Sequence, residues 1–340
     1  MSTELTSRRS QVLWLNAPRS LEFRAIELDH CAEDQIICET IITAISPGTE
    51  LAAYTGLEPL RPGQQYPRLQ GYCNVARVCE VGASVTHVKP GQLVLTFQSH
   101  RTAFIIRADE VLYVLKDSDN PAQVVCAYLY HLGYNAVLRS DIRAGSRVLI
   151  LGMGTLGTTS LAMCQIAGAV CDVITDHPST REQALAMGGR NAWSREGFDA
   201  AQAVPEPLRY DTVITTVNGW ADWRRALIAA RQQGMIALLG FPGRGQERPD
   251  YNPLDPRYVY SKQLRIEAVG ASPEQADTRG FLRFNERENL AFIIDGIRRG
   301  QIDTTRIASD KFSYRDIETA YAKISRRDTT TATALIVWRA

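Results

Sequence analysis

Gly152, Met153, Gly154, Thr155, Leu156 and Gly157 stand directly after the apolar run VLILG and open a helix-forming segment. The G-x-G-x-x-G spacing in a strand-to-helix setting suits a pyrophosphate. Glycine at 152 permits a tight turn, at 154 it lets a phosphate approach the main chain, and at 157 it lets helix and strand pack closely. Thr155, Leu156 and Gly157 fall in the first helical turn, whose N–H groups face an anion. The next strand, VCDVITD, ends in Asp176, nineteen residues past Gly157. A carboxylate there accepts hydrogen bonds from both hydroxyls of an adenosine ribose and repels a 2′-phosphate, which favours NAD over NADP. Arg181, five residues on, can flank adenine or ribose, or serve a phosphate. The lesser alternative for Asp176 is the cap of a helix with Pro178 just beyond.

The elements that must position these groups alternate. SRVLILGMG, VCDVITD, DTVITTV and MIALLGF read as strands; TLGTTSLAMCQIAGA, REQALAMGG and ADWRRALIAARQQG between them read as helices. LRIEAVGA adds a further strand. Such alternation specifies βαβ units and a doubly wound parallel sheet, an α/β fold. Before it, PAQVVCAYLYHLGYNAVLRS carries apolar residues on a helical period. The first third is β-rich: QIICETIITAI, NVARVCEVGASV, GQLVLTF and FIIRADEVLYVL are short, β-branched and punctuated by Gly or Pro. SPGTELAAYTGLEPLRPGQQYPRLQGY lies among them as a loop dense in Pro, Gly and Tyr. ERENLAFIIDGIRRG and YRDIETAYAKISRR read as amphipathic helices, and the apolar ATALIVW closes the chain as a strand that needs a sheet to join. The least strained topology returns it to the first domain.

Composition bounds the function. The 340 residues are 45% hydrophobic, and 38 basic against 37 acidic side chains leave a formal charge of +1. That balance argues against a nucleic-acid-binding surface or a polybasic membrane patch as the main business of the chain. No apolar run approaches the roughly 18 residues that span a bilayer. The start MSTELTSRRSQVLW lacks the apolar stretch of a secretory signal, so a cytoplasmic protein is expected. The seven cysteines are odd in number, scattered and without a C-x-x-C, the pattern of small buried hydrophobes.

With these residues in place, the chain resembles the medium-chain dehydrogenase/reductase superfamily nearly end to end. GTELAAYTG is similar to the family's G-T-D-x-x-x-Y-x-G segment, and GYCNVARVCEVGASVTHVKPGQLV to its G-H-E-x-x-G-x-V-x-x-V-G stretch ending at G-D-x-V. RAGSRVLILGMGTLG is similar to the entry into its coenzyme domain. The phrase SPGTELAAYTG with YPRLQGY resembles the branch containing hydroxyethyl bacteriochlorophyllide dehydrogenase. The resemblance implies a GroES-like β-barrel catalytic domain (1–130 and 264–340) around an inserted Rossmann coenzyme-binding domain (131–263). It also implies a cleft site between them and a homodimer joined through the coenzyme-domain sheets.

The departures carry as much meaning. Zinc-dependent members place a Cys before the G-T-D, a His-Glu pair after the later Gly, and a third ligand before the coenzyme domain. Here those positions hold Pro47, then Tyr72 and Cys73, with Cys126 near the third. FQSHRTAF has none of the cysteines of a structural zinc lobe. No zinc is expected. The resemblance gives Thr49 the family's hydroxyl proton relay and puts Tyr72 where the metal would lie, as a hydroxyl donor or as filler of that volume. It gives Glu50 an orienting role toward Tyr72 or a basic residue. Thr216, Val217, Gly240, Phe241, Val269 and Gly270 bracket the nicotinamide by the same analogy.

The expectation is a zinc-independent, NAD-dependent dehydrogenase or ketoreductase acting on a secondary alcohol of a ring-shaped, partly polar molecule: a cyclitol, sugar derivative or natural-product intermediate. The alternatives are an NADPH-dependent enone or quinone reductase, and a dinucleotide-binding sensor or scaffold without catalysis.

Overall fold

Segments rich in Val, Ile and Thr fit a pleated, half-buried surface, and they build the first part of the chain. In the computed structural model, which describes residues 8–58, 65–202, 209–274, 279, 281–326 and 332–338, this part begins with the hairpin β1 (Arg9–Ala17) and β2 (Ser20–Glu27). Neither strand stands out in the sequence, because β2 is exposed along most of its length and its charges mask the alternation. Next come β3 (Gln35–Ala44), α1 (Pro47–Thr55), β4 (Arg68–Leu69) and β5 (Cys73–Val81). Then follow β6 (Leu93–Thr96), β7 (Ala103–Arg107) and β8 (Tyr113–Val114).

Helix α1 corrects the expected loop. Ser46 is its N-cap and Pro47 takes the first helical position, where a missing N–H costs nothing. Gly56 ends it in the left-handed conformation at φ 68°. Residues 59–64 of the expected loop lie outside the described residues.

The expected long helix from Pro121 is two pieces, α2 (Pro121–Val124) and α3 (Ala127–Arg139). The alternating region then runs β9 (Arg147–Leu151), α4 (Thr155–Ile166), β10 (Val170–Ile174), α5 (Pro178–Ala186), β11 (Asn191–Trp193) and α6 (Arg195–Gln202). It continues with β12 (Tyr210–Thr215), α7 (Trp220–Ala229), β13 (Ala230–Leu238) and β14 (Arg265–Ala268). The chain closes with α8 (Glu286–Arg298), β15 (Asp310–Ser313), α9 (Ile317–Arg326) and β16 (Ala334–Val337). The helix expected through Gly234 stops at Ala229, because Ala230 already pairs with Tyr210.

Among the described residues the parallel sheet has the order β11-β10-β9-β12-β13-β14. That is the doubly wound order of a Rossmann fold, which reverses direction between β9 and β12. β9 and β10 are buried along nearly their whole length, and this explains their continuous apolar character. β14 pairs with β13 from Met235↔Arg265 to Leu238↔Ala268, so the sheet extends past the expected boundary at 263. The chain divides into one unit of Leu129–Glu274 with Phe284–Glu286, and another of Met1–Tyr128, Gln275–Arg283 and Arg287–Ala340.

The second unit is β-rich. Its larger sheet has the order β15-β16-β3-β5-β6-β8, with β7 paired to β3. β16 meets β3 antiparallel, Ile336 opposite Thr43, which returns the chain's end to its first long strand. β2-β1-β4 form a small sheet whose Leu13 N–H reaches the His100 carbonyl at 2.9 Å. Two apolar clusters fill the unit, one around Ile36, Val78 and Phe104, the other around Leu15, Ile45, Tyr321 and Trp338. Among the described residues no helix is long and apolar enough to cross a membrane.

Candidate functional site

At the reversal between β9 and β12, the three glycines of the turn carry three different constraints. Gly152 has φ 92°, and a side chain there would meet Val217 Cγ1 at 2.5 Å and Thr216 Oγ1 at 2.9 Å. A Cβ on Gly157 would lie 1.8 Å from the Gly152 carbonyl oxygen, so glycine is obligatory for the helix to sit this close to the strand. A Cβ on Gly154 would meet nothing within 4 Å. Gly154 therefore faces open space at the start of α4, where Thr155, Leu156 and Gly157 form the first turn and Thr158 N–H closes on the Gly154 carbonyl at 2.9 Å. An open cradle at a helix N-terminus, over the glycines at 152 and 154, fits a dinucleotide pyrophosphate.

The residues expected around the nicotinamide follow the ends of β12, β13 and β14. Thr216 donates its hydroxyl to the Leu151 carbonyl at 2.7 Å, pinning β12 to β9 beside the turn. Gly240 donates its N–H to the Thr215 carbonyl at 3.0 Å, and a side chain on it would lie 2.7 Å from the Val217 carbonyl oxygen. Thr216 and Val217 thus lie against Gly152 on one side and Gly240 on the other. Phe241 is partly exposed, its N–H donating to Asn218 Oδ1 at 3.2 Å and its ring lying 4.1 Å from the Arg244 guanidinium carbon. Val269 extends the β13 pairing through the Leu238 carbonyl at 3.0 Å. The Gly270 carbonyl accepts from Asn135 Nδ2 at 3.2 Å.

Sequence reading missed the partners that fix this last segment. Ser272 donates to Asn135 Oδ1 at 2.6 Å and lies 3.2 Å from His131 Nε2. His131 is fully buried, and desolvation pushes its pKa down to about 4, so it is a neutral packed imidazole at ordinary pH.

Asp176 follows β10 as expected but is already engaged. Its Oδ1 accepts the Arg195 backbone N–H at 2.8 Å and its Oδ2 accepts Arg195 Nη1 at 2.5 Å. The Arg195 main-chain bond is the largest cause holding its carboxyl below the usual range. It does not cap α5, whose N-cap is His177. Arg181 turns inward onto main chain, donating to the Thr175 carbonyl at 3.1 Å and the Asp176 carbonyl at 2.6 Å.

In the β-rich unit, α1 organises the hydroxyl groups. Tyr72 shares a hydrogen bond with Ser46 Oγ, and Thr49 stands near enough to favour its ionised form slightly. Burial drives the Tyr72 phenol well above its ordinary range, so it stays protonated and available as a donor. Its ring packs edge-on against Tyr128 at 5.6 Å, and Tyr128 packs edge-on against Phe97 at 4.5 Å. Ser46 was missed in the sequence, although a Ser-Pro pair at a helix start is a recognisable capping signal.

Glu50 points elsewhere. Its Oε1 accepts the Ser46 N–H at 2.6 Å, and its Oε2 accepts from Tyr321 and lies 3.0 Å from His100 Nε2. Thr43 Oγ1 lies 2.7 Å from His100 Nδ1 and accepts from Trp338 Nε1 at 2.9 Å. His100, whose sequence context suggests a solvated loop, is fully buried. Gly71 leaves it room, since a Cβ there would lie 2.7 Å from the imidazole.

The resemblance matches Pro47, Tyr72 and Cys73 to zinc-ligand positions and puts Cys126 near a further one. Pro47 and Tyr72 offer no nitrogen or sulfur donor, which leaves the buried thiols Cys73 and Cys126. Burial pushes Cys126 up to about 12 and Cys73 well above its ordinary value. Among the described residues no group of three or more His, Cys, Asp or Glu is placed to hold a metal ion. A catalytic zinc takes about three protein ligands, so this donor set does not fit one.

Comparison with known proteins places these features. No protein-family model matches the chain. It is 37% identical over 303 residues to 2-desacetyl-2-hydroxyethyl bacteriochlorophyllide A dehydrogenase of Cereibacter sphaeroides, covering 81% of this chain and 86% of that protein. It is 21% identical over 223 residues to a sorbitol dehydrogenase of Bacillus subtilis, covering 64% of this chain but only 57% of that enzyme's length. In structure it matches L-idonate 5-dehydrogenase from Escherichia coli at a TM-score of 0.79 and 12% identity, over 97% of this chain and 98% of that one. The chain belongs to the medium-chain dehydrogenase/reductase family, among its zinc-type alcohol dehydrogenase-like members.

Proposed function

We propose that this protein is an NAD-dependent dehydrogenase or ketoreductase that interconverts a secondary alcohol and a ketone without a catalytic zinc. Family membership makes it an oxidoreductase of the dehydrogenase type. The finer reading rests on one observation, a buried tyrosine hydroxyl hydrogen-bonded to Ser46 Oγ, taken with the resemblance that matches Tyr72 to a zinc-ligand position.

When bound, a nicotinamide dinucleotide supplies or accepts the hydride. Its pyrophosphate is assigned to Gly152, Gly154, Thr155, Leu156 and Gly157, and its adenosine ribose to Asp176. The chain's own residues handle the oxygen. Tyr72 donates a hydrogen bond to the substrate carbonyl, stabilising the negative charge that develops as it becomes an alkoxide. Thr49 and Ser46 relay the proton to that oxygen and hold the phenol in place. Glu50 acts from behind, fixing the Ser46 main chain, as a positioning residue.

The substrate reading is a ring-shaped, partly polar alcohol or ketone. The edge-to-face series Tyr72, Tyr128 and Phe97 supports it by offering a rigid aromatic wall beside the hydroxyls. So does the relative at 37% identity, whose name gives a hydroxyethyl bacteriochlorophyllide as substrate. A homodimer is part of the reading, supported by β14 forming an edge of the parallel sheet; sedimentation as a monomer at micromolar concentration would remove it. A cytoplasmic setting is supported by all seven cysteines being free.

The test is a screen of cyclic secondary alcohols and ketones with NAD(H), on protein treated with chelator and on untreated protein. Equal turnover in both, abolished in Tyr72→Phe/Thr49→Ala, supports the reading. Turnover that chelator removes and zinc restores would sink it. Turnover of quinones or enones alone would replace it with reduction of activated C=C bonds.

A further inference from the structure

Asp176 is one end of a chain of alternating charges within the coenzyme-binding unit. Arg195 donates Nη1 to Asp176, and on its other side grips Asp222 bidentately, Nε to Oδ1 at 2.9 Å and Nη2 to Oδ2 at 2.8 Å. Asp222 also accepts Arg225 Nη1 at 2.9 Å, and Arg225 is held by Asp199 through Nε at 2.9 Å and Nη2 at 2.7 Å. The two ends differ in freedom. The Asp222 side chain is 6% exposed, whereas that of Asp176 is 56% exposed. The buried pair therefore fixes the guanidinium, while the Asp176 carboxylate, more than half exposed, is held through Oδ1 by the Arg195 backbone N–H and through Oδ2 by Nη1.

A bare carboxylate at the end of this strand repels a 2′-phosphate by charge. Here the charge of Asp176 is compensated by a guanidinium that Asp222 anchors on its other side. That guanidinium has five N–H groups; the contacts to Asp222 and Asp176 occupy three, leaving one on each terminal nitrogen. A planar fork anchored on one side and open on the other suits a phosphate.

Building on the dinucleotide assignment above, we infer that Arg195 is a specificity-determining residue which lets the site take a 2′-phosphorylated dinucleotide as well as NAD(H). Asp176 accepts from the ribose hydroxyls when NAD(H) binds. When a 2′-phosphate enters, it takes the place of Asp176 Oδ2 on Arg195 Nη1, while Asp176 Oδ1 stays on the Arg195 backbone N–H. The preference for NADH is the outcome of this competition and is therefore shallow.

The experiment is fluorescence titration of the full-length protein with NADH and with NADPH, for the parent, Arg195→Gln and Asp176→Asn. Glutamine keeps a donor for Asp222 and removes the cation. The parent is expected to bind both dinucleotides within about tenfold of each other. Arg195→Gln should weaken NADPH at least tenfold while moving NADH less than threefold, and Asp176→Asn should tighten NADPH. Parent protein that binds NADH but rejects NADPH more than a hundredfold overturns the inference and leaves the dinucleotide site standing. So does an Arg195→Gln variant that shifts both ligands equally, as a merely structural role would. Should Arg195→Gln fail to fold, unchanged NADPH affinity in Asp176→Asn overturns it on its own. If the parent binds neither dinucleotide, the dinucleotide assignment falls and the inference with it.

Discussion

His100 Nε2 lies 3.0 Å from Glu50 Oε2, and neither side chain is open to solvent. A carboxylate only accepts, so His100 Nε2–H points at Glu50, while the Thr43 hydroxyl, which accepts from Trp338 Nε1–H, lies beside His100 Nδ1. Glu50 then receives His100, Tyr321 and the Ser46 N–H, all donors. An amide cannot replace it, because its NH2 must oppose one of these donors. Glu50→Gln should lower stability by about 2–3 kcal/mol, the cost of an unmet buried donor, and loosen Ser46. Urea unfolding checks the first effect. A Glu50→Gln midpoint equal to the parent's would show that the donors find other acceptors.

The hydroxyl cluster makes a separate prediction about rate. Tyr72→Phe removes one hydrogen-bond donor from a ring whose aromatic contacts remain, so stability should change by less than about 1 kcal/mol. Ketone reduction should fall by about 10² to 10⁴ in kcat/KM, the range for a positioned proton donor. Burial raises the phenol above its ordinary value, so the parent's reduction rate should show no loss attributable to Tyr72 as pH passes about 10. A descending limb centred there and absent from Tyr72→Phe would contradict the assignment.

His131 links stability to pH. Its folded-state pKa of about 4 lies below the ordinary histidine value of 6.5, so between those limits the unfolded chain binds a proton that the folded chain refuses. Stability should therefore fall as pH drops from about 6.5 towards 4, by roughly 3 kcal/mol from this residue, and be unaffected by it above 7. His131→Gln keeps a donor for Ser272 and removes the titration. The difference in urea midpoint between pH 7 and pH 4.5 should shrink in that variant; an unchanged difference would assign the acid sensitivity to other groups.

These sites differ in how far the sequence discloses them. The turn from Gly152 to Gly157 is legible because its constraints are backbone constraints within a short stretch, and the neighbouring strand and helix are apolar enough to declare themselves. Asp176 is legible because strand length fixes its distance from the turn. Arg195 is not, since it is delivered by β11, three residues long, and by α6, whose only buried residue is Phe198. His100 and Tyr321 are 221 positions apart in chain order (321 less 100), and the return of β16 to β3 accompanies Trp338 stacking on His100 and Tyr321 of α9 bonding Glu50. A polar residue satisfied by partners that distant looks, in sequence, like a surface loop. Helix α1 was hidden for another reason: its Pro, Gly and Thr read as loop residues unless Ser46 is taken as a cap.

The glycines allow the binding role of the turn to be separated from its folding role. Gly157→Ala puts a methyl 1.8 Å from the Gly152 carbonyl oxygen, an overlap that only displacement of α4 can relieve. It should destabilise the coenzyme-binding unit by about 1–3 kcal/mol or more, with NADH affinity falling in consequence. Gly154→Ala meets nothing within 4 Å, and Gly154 has a φ of −75°, which alanine adopts freely. The protein without dinucleotide should therefore melt at the parent temperature, or slightly above it because alanine restricts the unfolded chain. NADH affinity should nonetheless drop at least tenfold, since the methyl occupies the space through which a pyrophosphate reaches the main chain. Thermal unfolding with and without NADH distinguishes the two variants. Gly154→Ala should lose the ligand-induced rise in Tm while keeping the ligand-free value, and a full NADH-induced rise in that variant would remove the turn from the binding site.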